Sequence, residues 1–188
     1  MYQQDKRVVK TKKNIRETFL TLLGEMPFEK ITVTQIANQA LIGKTTFYLH
    51  YNDKYELAEE CIRDFLQTIE DGVRKQCLSA GSENSYLTEL AGFLGSLTDQ
   101  ILLLNRISFN SFYLYDKIRD TLCAVLKDIF RADGVSENKI DMQAYQAASS
   151  MIAFLRYKCG INPGVSHTDY IRNLSEVIDR PRSQGLRS

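Results

Sequence analysis

Proline, glycine, cysteine and histidine are all scarce in this chain, and tryptophan is absent. Its 188 residues include 3 prolines, 10 glycines, 4 cysteines and 2 histidines. Breakers this few, falling mostly between apolar-periodic stretches, point to an all-α chain. No alternating strand pattern survives inspection, and no repeat of roughly 20–50 residues is visible. The cysteines (Cys61, Cys77, Cys123, Cys159) form no C-x-x-C pair, and His50 and His167 stand far apart. That spacing excludes the usual zinc sites, so no metal is expected. Small buried hydrophobes in a reducing compartment are the expectation for the thiols. Long apolar runs are missing too. The longest uncharged stretch, Met142 to Leu155, is 14 residues long and contains Gln143, Gln146, Ser149 and Ser150. It is too short and too polar to span a bilayer, so no membrane association is expected. The opening MYQQDKRVVKTKKN has no apolar core of a signal peptide, and a cytoplasmic protein is expected. There is no G-x-S-x-G, no H-E-x-x-H and no phosphate-binding glycine loop. We therefore expect no catalytic residues, no cofactor and no enzyme.

The charge that is present is unevenly placed. Net charge is only +1, yet the segment through Lys54 holds nine bases against five acids, and the remainder holds 15 bases against 18 acids. A basic front end suits a polyanionic partner.

Periodicity divides the chain into helices. Ile15, Phe19, Leu22 and Leu23 form one stripe between about Val9 and Gly24, with Gly24 and Pro27 ending the helix. Thr32 with Gln35 reads as a capping box opening a short helix to Ala40. A second short helix spans about Lys44 to Tyr51. Asn52-Asp53 then caps a long helix from Lys54 to about Cys77, with Leu57, Cys61, Phe65, Ile69 and Val73 as its buried stripe. A linker at Ser79–Ser85 precedes one helix over Tyr86–Leu104, and then an aromatic-rich region from Arg106 to Phe130, bent near Asp116. Helices over Lys139–Cys159 and Thr168–Ile178 complete the set.

Two short helices joined by a tight turn and followed by a long helix have the outline of a helix-turn-helix. Lys44, Thr45, Thr46 and His50 supply donors, acceptors and methyl groups on the second short helix, while Phe47 and Tyr51 anchor its back. Such a helix presents its leading side chains to base edges in the major groove. Tyr48 and Lys54 suit flanking phosphates, which orient without reading sequence.

On these residues the segment resembles the tetracycline-repressor (TetR) family of bacterial transcriptional regulators. The resemblance is carried by the opening helix ending in Phe28, by T-V-x-x-I-A at Thr32 to Ala37 and by T-F-Y at Thr46 to Tyr48. Tyr51 and N-D-K-x-E-L at Asn52 to Leu57 complete it. It implies an all-helical homodimer with an N-terminal DNA-binding domain (residues 1–53) linked by the helix 54–78 to a C-terminal regulatory and dimerisation domain (54–188). It also implies contacts to double-stranded DNA from Thr34 and Lys44 near phosphates and from Thr45 at bases. Thr46 and His50 would sit at the groove, with Tyr48 and Lys54 on the backbone. Two positions depart from the family pattern. Leu41 stands where glycine is usual in the turn, so the turn is either reshaped or packs Leu41 inward. Gly43 stands where serine is frequent.

The remaining chain carries less specific signals. Phe93, Phe109, Phe112, Tyr113, Tyr145 and Phe154 are candidates to line a pocket for a small apolar or aromatic effector, against an ordinary aromatic core. The small-residue run Ala144 to Ala153, with the last helix, is a candidate dimer interface, against a tight contact within the chain. The functional expectation is a sequence-specific, effector-responsive repressor binding a palindromic operator as a dimer. The alternative is a regulator, either repressor or activator, whose C-terminal domain binds a protein partner.

Overall fold

The computed structural model describes residues 2–79, 83–107 and 113–160, which form helices joined by turns, with no strand among them. The helices are α1 (Tyr2–Glu25), α2 (Val33–Gln39), α3 (Lys44–Tyr48), α4 (Lys54–Ser79), α5 (Glu83–Ser96), α6 (Thr98–Leu104), α7 (Tyr113–Ala132) and α8 (Glu137–Lys158), with a 3-10 turn at Phe28–Lys30. Contacts divide the chain into two compact units. One is Met1–Phe65 with Leu102–Ser111, and the other is Leu66–Ile101 with Phe112–Ser188. The expected helix at Thr168–Ile178 lies outside the described residues.

In the first unit, Ile15, Phe19 and Leu23 of α1 are fully buried together with Ile36, Phe47 and Leu57 from the next three helices. The starts of α2 and α4 are fixed by side-chain caps. The Thr32 side chain accepts from the Gln35 amide while Gln35 Oε1 accepts from the Thr32 amide at 2.9 Å, closing the expected capping box. Asp53 Oδ1 accepts from the amides of Tyr55 at 2.8 Å and Glu56 at 2.9 Å, capping α4. The Phe28 ring stands edge-on to Phe19 and to Tyr55, joining the 3-10 turn to α1 and α4.

In the second unit, α7 and α8 lie against each other. α7 buries Leu114, Ile118, Leu122, Val125 and Leu126 along one stripe, and α8 buries Ala144, Ala147, Ala148, Met151 and Leu155. For three alanines of the small-residue run, the contact is one within the chain. Ala144, Ala147 and Ala148 have no exposed surface within the single chain, and Cys123 Sγ of α7 approaches the Ala144 carbonyl at 3.9 Å. Alanines here permit close approach of two helices of the same chain.

Two helix boundaries differ from expectation. The helix expected over Tyr86–Leu104 is interrupted at Leu97, where the Ser96 hydroxyl donates to the Phe93 carbonyl and the Thr98 hydroxyl to the Gly95 carbonyl, each at 2.7 Å. Hydroxyls that bond backbone in this way compete with the helical ladder. In contrast, α7 runs unbroken through Asp116, which lies in its first turn. An acid there faces the positive end of the helix dipole and favours continuation over a bend.

Candidate nucleic-acid interface

The reading segment is framed by a turn with an unusual backbone. Ile42 N donates to Ala37 O at 3.0 Å and Leu41 N to Asn38 O at 3.1 Å, the pair of bonds of a Schellman stop at the end of α2. That stop requires a left-handed residue, and Leu41 takes it with φ 55°, the one non-glycine residue with positive φ among those described. Leu41 does not pack inward: it is 92% exposed. Leucine in this region costs about 1–2 kcal/mol. Gly43 follows in an extended conformation as the N-cap of α3, with no side chain to cap it.

α3 then presents two faces. Phe47 is 0% exposed and Tyr51, one turn on, is 1% exposed, their ring centroids 5.6 Å apart. At about 100° per residue, Thr45 and Leu49 fall on the side opposite Phe47. Thr45 is exposed, Leu49 is 77% exposed and Tyr48, to one side, is 55% exposed. Lys44 and Thr34 are exposed as well, while Thr46 and His50 are half-buried on the flanks of α3. The structure therefore brings Lys44, Thr45, Thr46, Tyr48 and His50 together on one short segment, with Thr34 in the first turn of α2.

Lys54 requires a correction. Its ammonium donates to three backbone carbonyls, Phe28 O at 2.8 Å, Glu29 O at 3.1 Å and Ile31 O at 2.9 Å. It also lies 4.6 Å from the Phe28 ring centroid. A lysine has three N–H donors, and all are engaged in closing the 3-10 turn onto α4. Lys54 holds the fold and has no donor left for a phosphate.

Behind α3 lies an ionic cluster that the sequence did not reveal. Glu60 of α4 accepts from Lys12 Nζ and Arg16 Nη1 of α1, each at 2.6 Å, and from the Tyr51 hydroxyl at 3.0 Å. Arg16 also pairs with Asp64 at 3.1 Å. Burial by itself would raise the Glu60 carboxyl, but hydrogen bonds from Lys12, Tyr51 and Arg16 outweigh it and hold the group below its ordinary value. Burial and the neighbouring Glu60 carboxylate push the Tyr51 phenol up, so it stays protonated and donates. Residues 12, 16, 51 and 60 have no sequence spacing that would mark them as one cluster; only the packing of α1 on α4 assembles it.

The candidate effector residues are scattered. Phe154 is fully buried in the core of the second unit. Tyr145, nine positions earlier on α8, falls on the opposite face of that helix and is 56% exposed. It borders an open groove with Cys123, Lys127, Asp141 and Met142. Tyr145 and Phe154 therefore do not line one cavity within a chain. Phe93 is half-buried with its ring against Gly72 of α4, where a Cβ would strike it. Tyr113 is half-buried at the start of α7. Phe109 and Phe112 lie outside the described residues. Among those residues no His, Cys, Asp or Glu group could hold a metal ion, and no helix is long and apolar enough to cross a membrane.

Comparison with known proteins agrees with this layout. Residues 15–61, which hold the ionic cluster's Glu60 and the whole reading segment, match the model of the bacterial regulatory proteins, tetR family. An uncharacterized HTH-type transcriptional regulator of Bacillus subtilis, YxbF, is 37% identical over 62 residues, which is 32% of this chain and 16% of that protein. The chain thus aligns with a small part of that relative's length. Over nearly the whole chain the likeness is one of fold. A TetR transcriptional regulator from Streptococcus agalactiae has a TM-score of 0.62 at 24% identity, covering 93% of this chain and 97% of that one. A TetR-family regulator from Syntrophomonas wolfei has a TM-score of 0.65 at 14% identity, covering 92% and 95%. Over its N-terminal segment, residues 15–61, the chain is similar to the TetR family of bacterial regulatory proteins.

Proposed function

We propose that the protein is a cytoplasmic, sequence-specific DNA-binding repressor that acts as a homodimer on a palindromic operator. The observation that carries this reading is α3 itself. One side is anchored by Phe47 and Tyr51, and the other offers Thr45 and Tyr48 to solvent, beside exposed Lys44. A rigid short helix with a buried back and an exposed polar front is what major-groove reading requires. Lys44 and Thr34 would meet phosphates, Thr45 a base edge, Thr46 and His50 the groove walls, and Tyr48 the sugar-phosphate backbone. Two copies related by a two-fold axis would set their α3 helices about one duplex turn, roughly 34 Å, apart.

A small apolar or aromatic effector bound among the helices of the second unit would alter operator affinity. Such coupling needs different affinity for the two states of the protein, typically about 1–3 kcal/mol. Phe93, Tyr113 and Phe154 remain candidates for that site, as does Tyr145 at its open groove.

Selection of bound duplexes from a random pool tests the reading. Enrichment of an inverted repeat supports it, and recovery of no common sequence overturns it. Titrating the enriched duplex with small apolar ligands then tests the effector. Unchanged affinity with all of them, but altered affinity with a protein from the same cell, would overturn that part.

A further inference from the structure

We infer that Leu49 is a specificity-determining residue that reads the C5 methyl group of a thymine in the operator. The inference rests on the reading of α3 as the DNA probe and adds a residue and a chemistry to it.

Phase around the helix comes first. Leu49 N donates to Thr45 O at 3.0 Å, and Leu49 has φ −71° and ψ −17°, so it continues the turn of α3. Two residues from buried Phe47, it lies about 200° round the helix axis from the anchored side. Thr45, two residues before Phe47, comes out on the same side. Thr45 and Leu49 are therefore stacked one turn apart on the outermost line of the segment, where insertion into a groove is deepest.

Chemistry comes second. Leu49 is 77% exposed, so it is not part of the core, and its side chain has no hydrogen-bonding atom. In the major groove it cannot read a donor or an acceptor. The one apolar feature that a base edge displays there is the thymine methyl group, and apolar side chains meet it by contact. The residues around it, Lys44, Thr45, Thr46 and Tyr48, each carry a polar atom that suits phosphate or base edges, whereas Leu49 is the exposed side chain of the segment with none. Cytosine at that position would place an amino donor against a leucine with nothing to accept it.

Replacing thymines of the selected operator one at a time by deoxyuridine removes a methyl group and nothing else. We expect one position in each half-site at which the wild-type protein loses about fourfold in affinity, the worth of one buried methyl-sized group. Leu49→Ala, altered at an exposed side chain, should bind the thymine operator about that much more weakly and be indifferent to uracil at that position. Leu49→Gln should shift the preferred base there in a repeated selection. If the wild-type protein tolerates uracil everywhere while still preferring its operator over a scrambled duplex, the inference fails and the reading of α3 stands. If Leu49→Ala remains as sensitive to uracil as the wild type, the methyl is read by another residue and the inference fails. A wild-type protein with no preference between operator and scrambled duplex would overturn the reading of α3 and this inference with it.

Discussion

The Tyr51 hydroxyl donates to Oε1 of Glu60 at 3.0 Å, tying the residue just beyond the reading segment to the helix behind it. Because Glu60 also holds Lys12 and Arg16, one carboxylate orients α1, α4 and the end of the reading segment together. A charge-assisted hydrogen bond contributes about 1.5–3 kcal/mol, and removing a part-buried hub leaves its partners unsatisfied.

Glu60→Gln should therefore destabilise the protein by about 2 kcal/mol, read as a lower urea midpoint. Its pH dependence should change as well. The folded carboxyl lies below its ordinary 4.5, so its contribution is present above that value and is lost as pH falls through the folded value. The urea midpoint of the wild-type protein should drop more steeply below about pH 4.5 than that of Glu60→Gln. Parallel acid limbs would show that the carboxylate does not act in this way.

Lys54→Met keeps the apolar stem and removes the ammonium that closes the 3-10 turn. The expected result is a loss of about 2 kcal/mol in stability with an unchanged salt dependence of DNA binding. Lys44→Ala should do the reverse, lowering the slope of log affinity against log salt by about one with little effect on stability. A reduced slope in the Lys54 variant would return that residue to the phosphate contacts.

Leu41 is the one non-glycine residue in the left-handed region among the described residues, and glycine has no Cβ to strain there. Leu41→Gly should raise stability by a few tenths to about 1 kcal/mol, the relief of strain exceeding the added freedom of the unfolded chain. Leu41→Ala keeps a Cβ and should leave stability nearly unchanged. Equal effects of the two substitutions would place the strain elsewhere.

Gly72→Ala should cost about 1–3 kcal/mol, because the new methyl falls on the Phe93 ring. Phe93→Leu in the same chain should restore part of that loss, as expected for two groups competing for one space. Additive losses from the two changes would mean that the ring moves aside freely.

Local chemistry was legible in the sequence, and contacts distant along the chain were not. The Thr32–Gln35 box, the Asp53 cap and the stripe on α4 each depend on residues within a few positions of one another. All three stand in the structure as spacing predicts. The break at Leu97 escaped because an apolar period continues across it, while the hydroxyls of Ser96 and Thr98 redirect the backbone. From sequence alone Lys54 reads as a phosphate contact, because its carbonyl partners lie more than 20 residues upstream. At the interface, the polar face of α3 could be read from the order of residues. The prominence of Leu49 needed the phase fixed by buried Phe47, since an apolar residue in a short helix is read first as core.

The most direct test of the central claim is the affinity of the wild-type protein and Thr45→Ala for the selected palindrome and for a scrambled duplex at one salt concentration. A base-reading α3 predicts that Thr45→Ala loses affinity on the palindrome, by roughly 1–3 kcal/mol, and keeps its affinity for the scrambled duplex. Equal loss on both duplexes would contradict the claim that this face reads sequence.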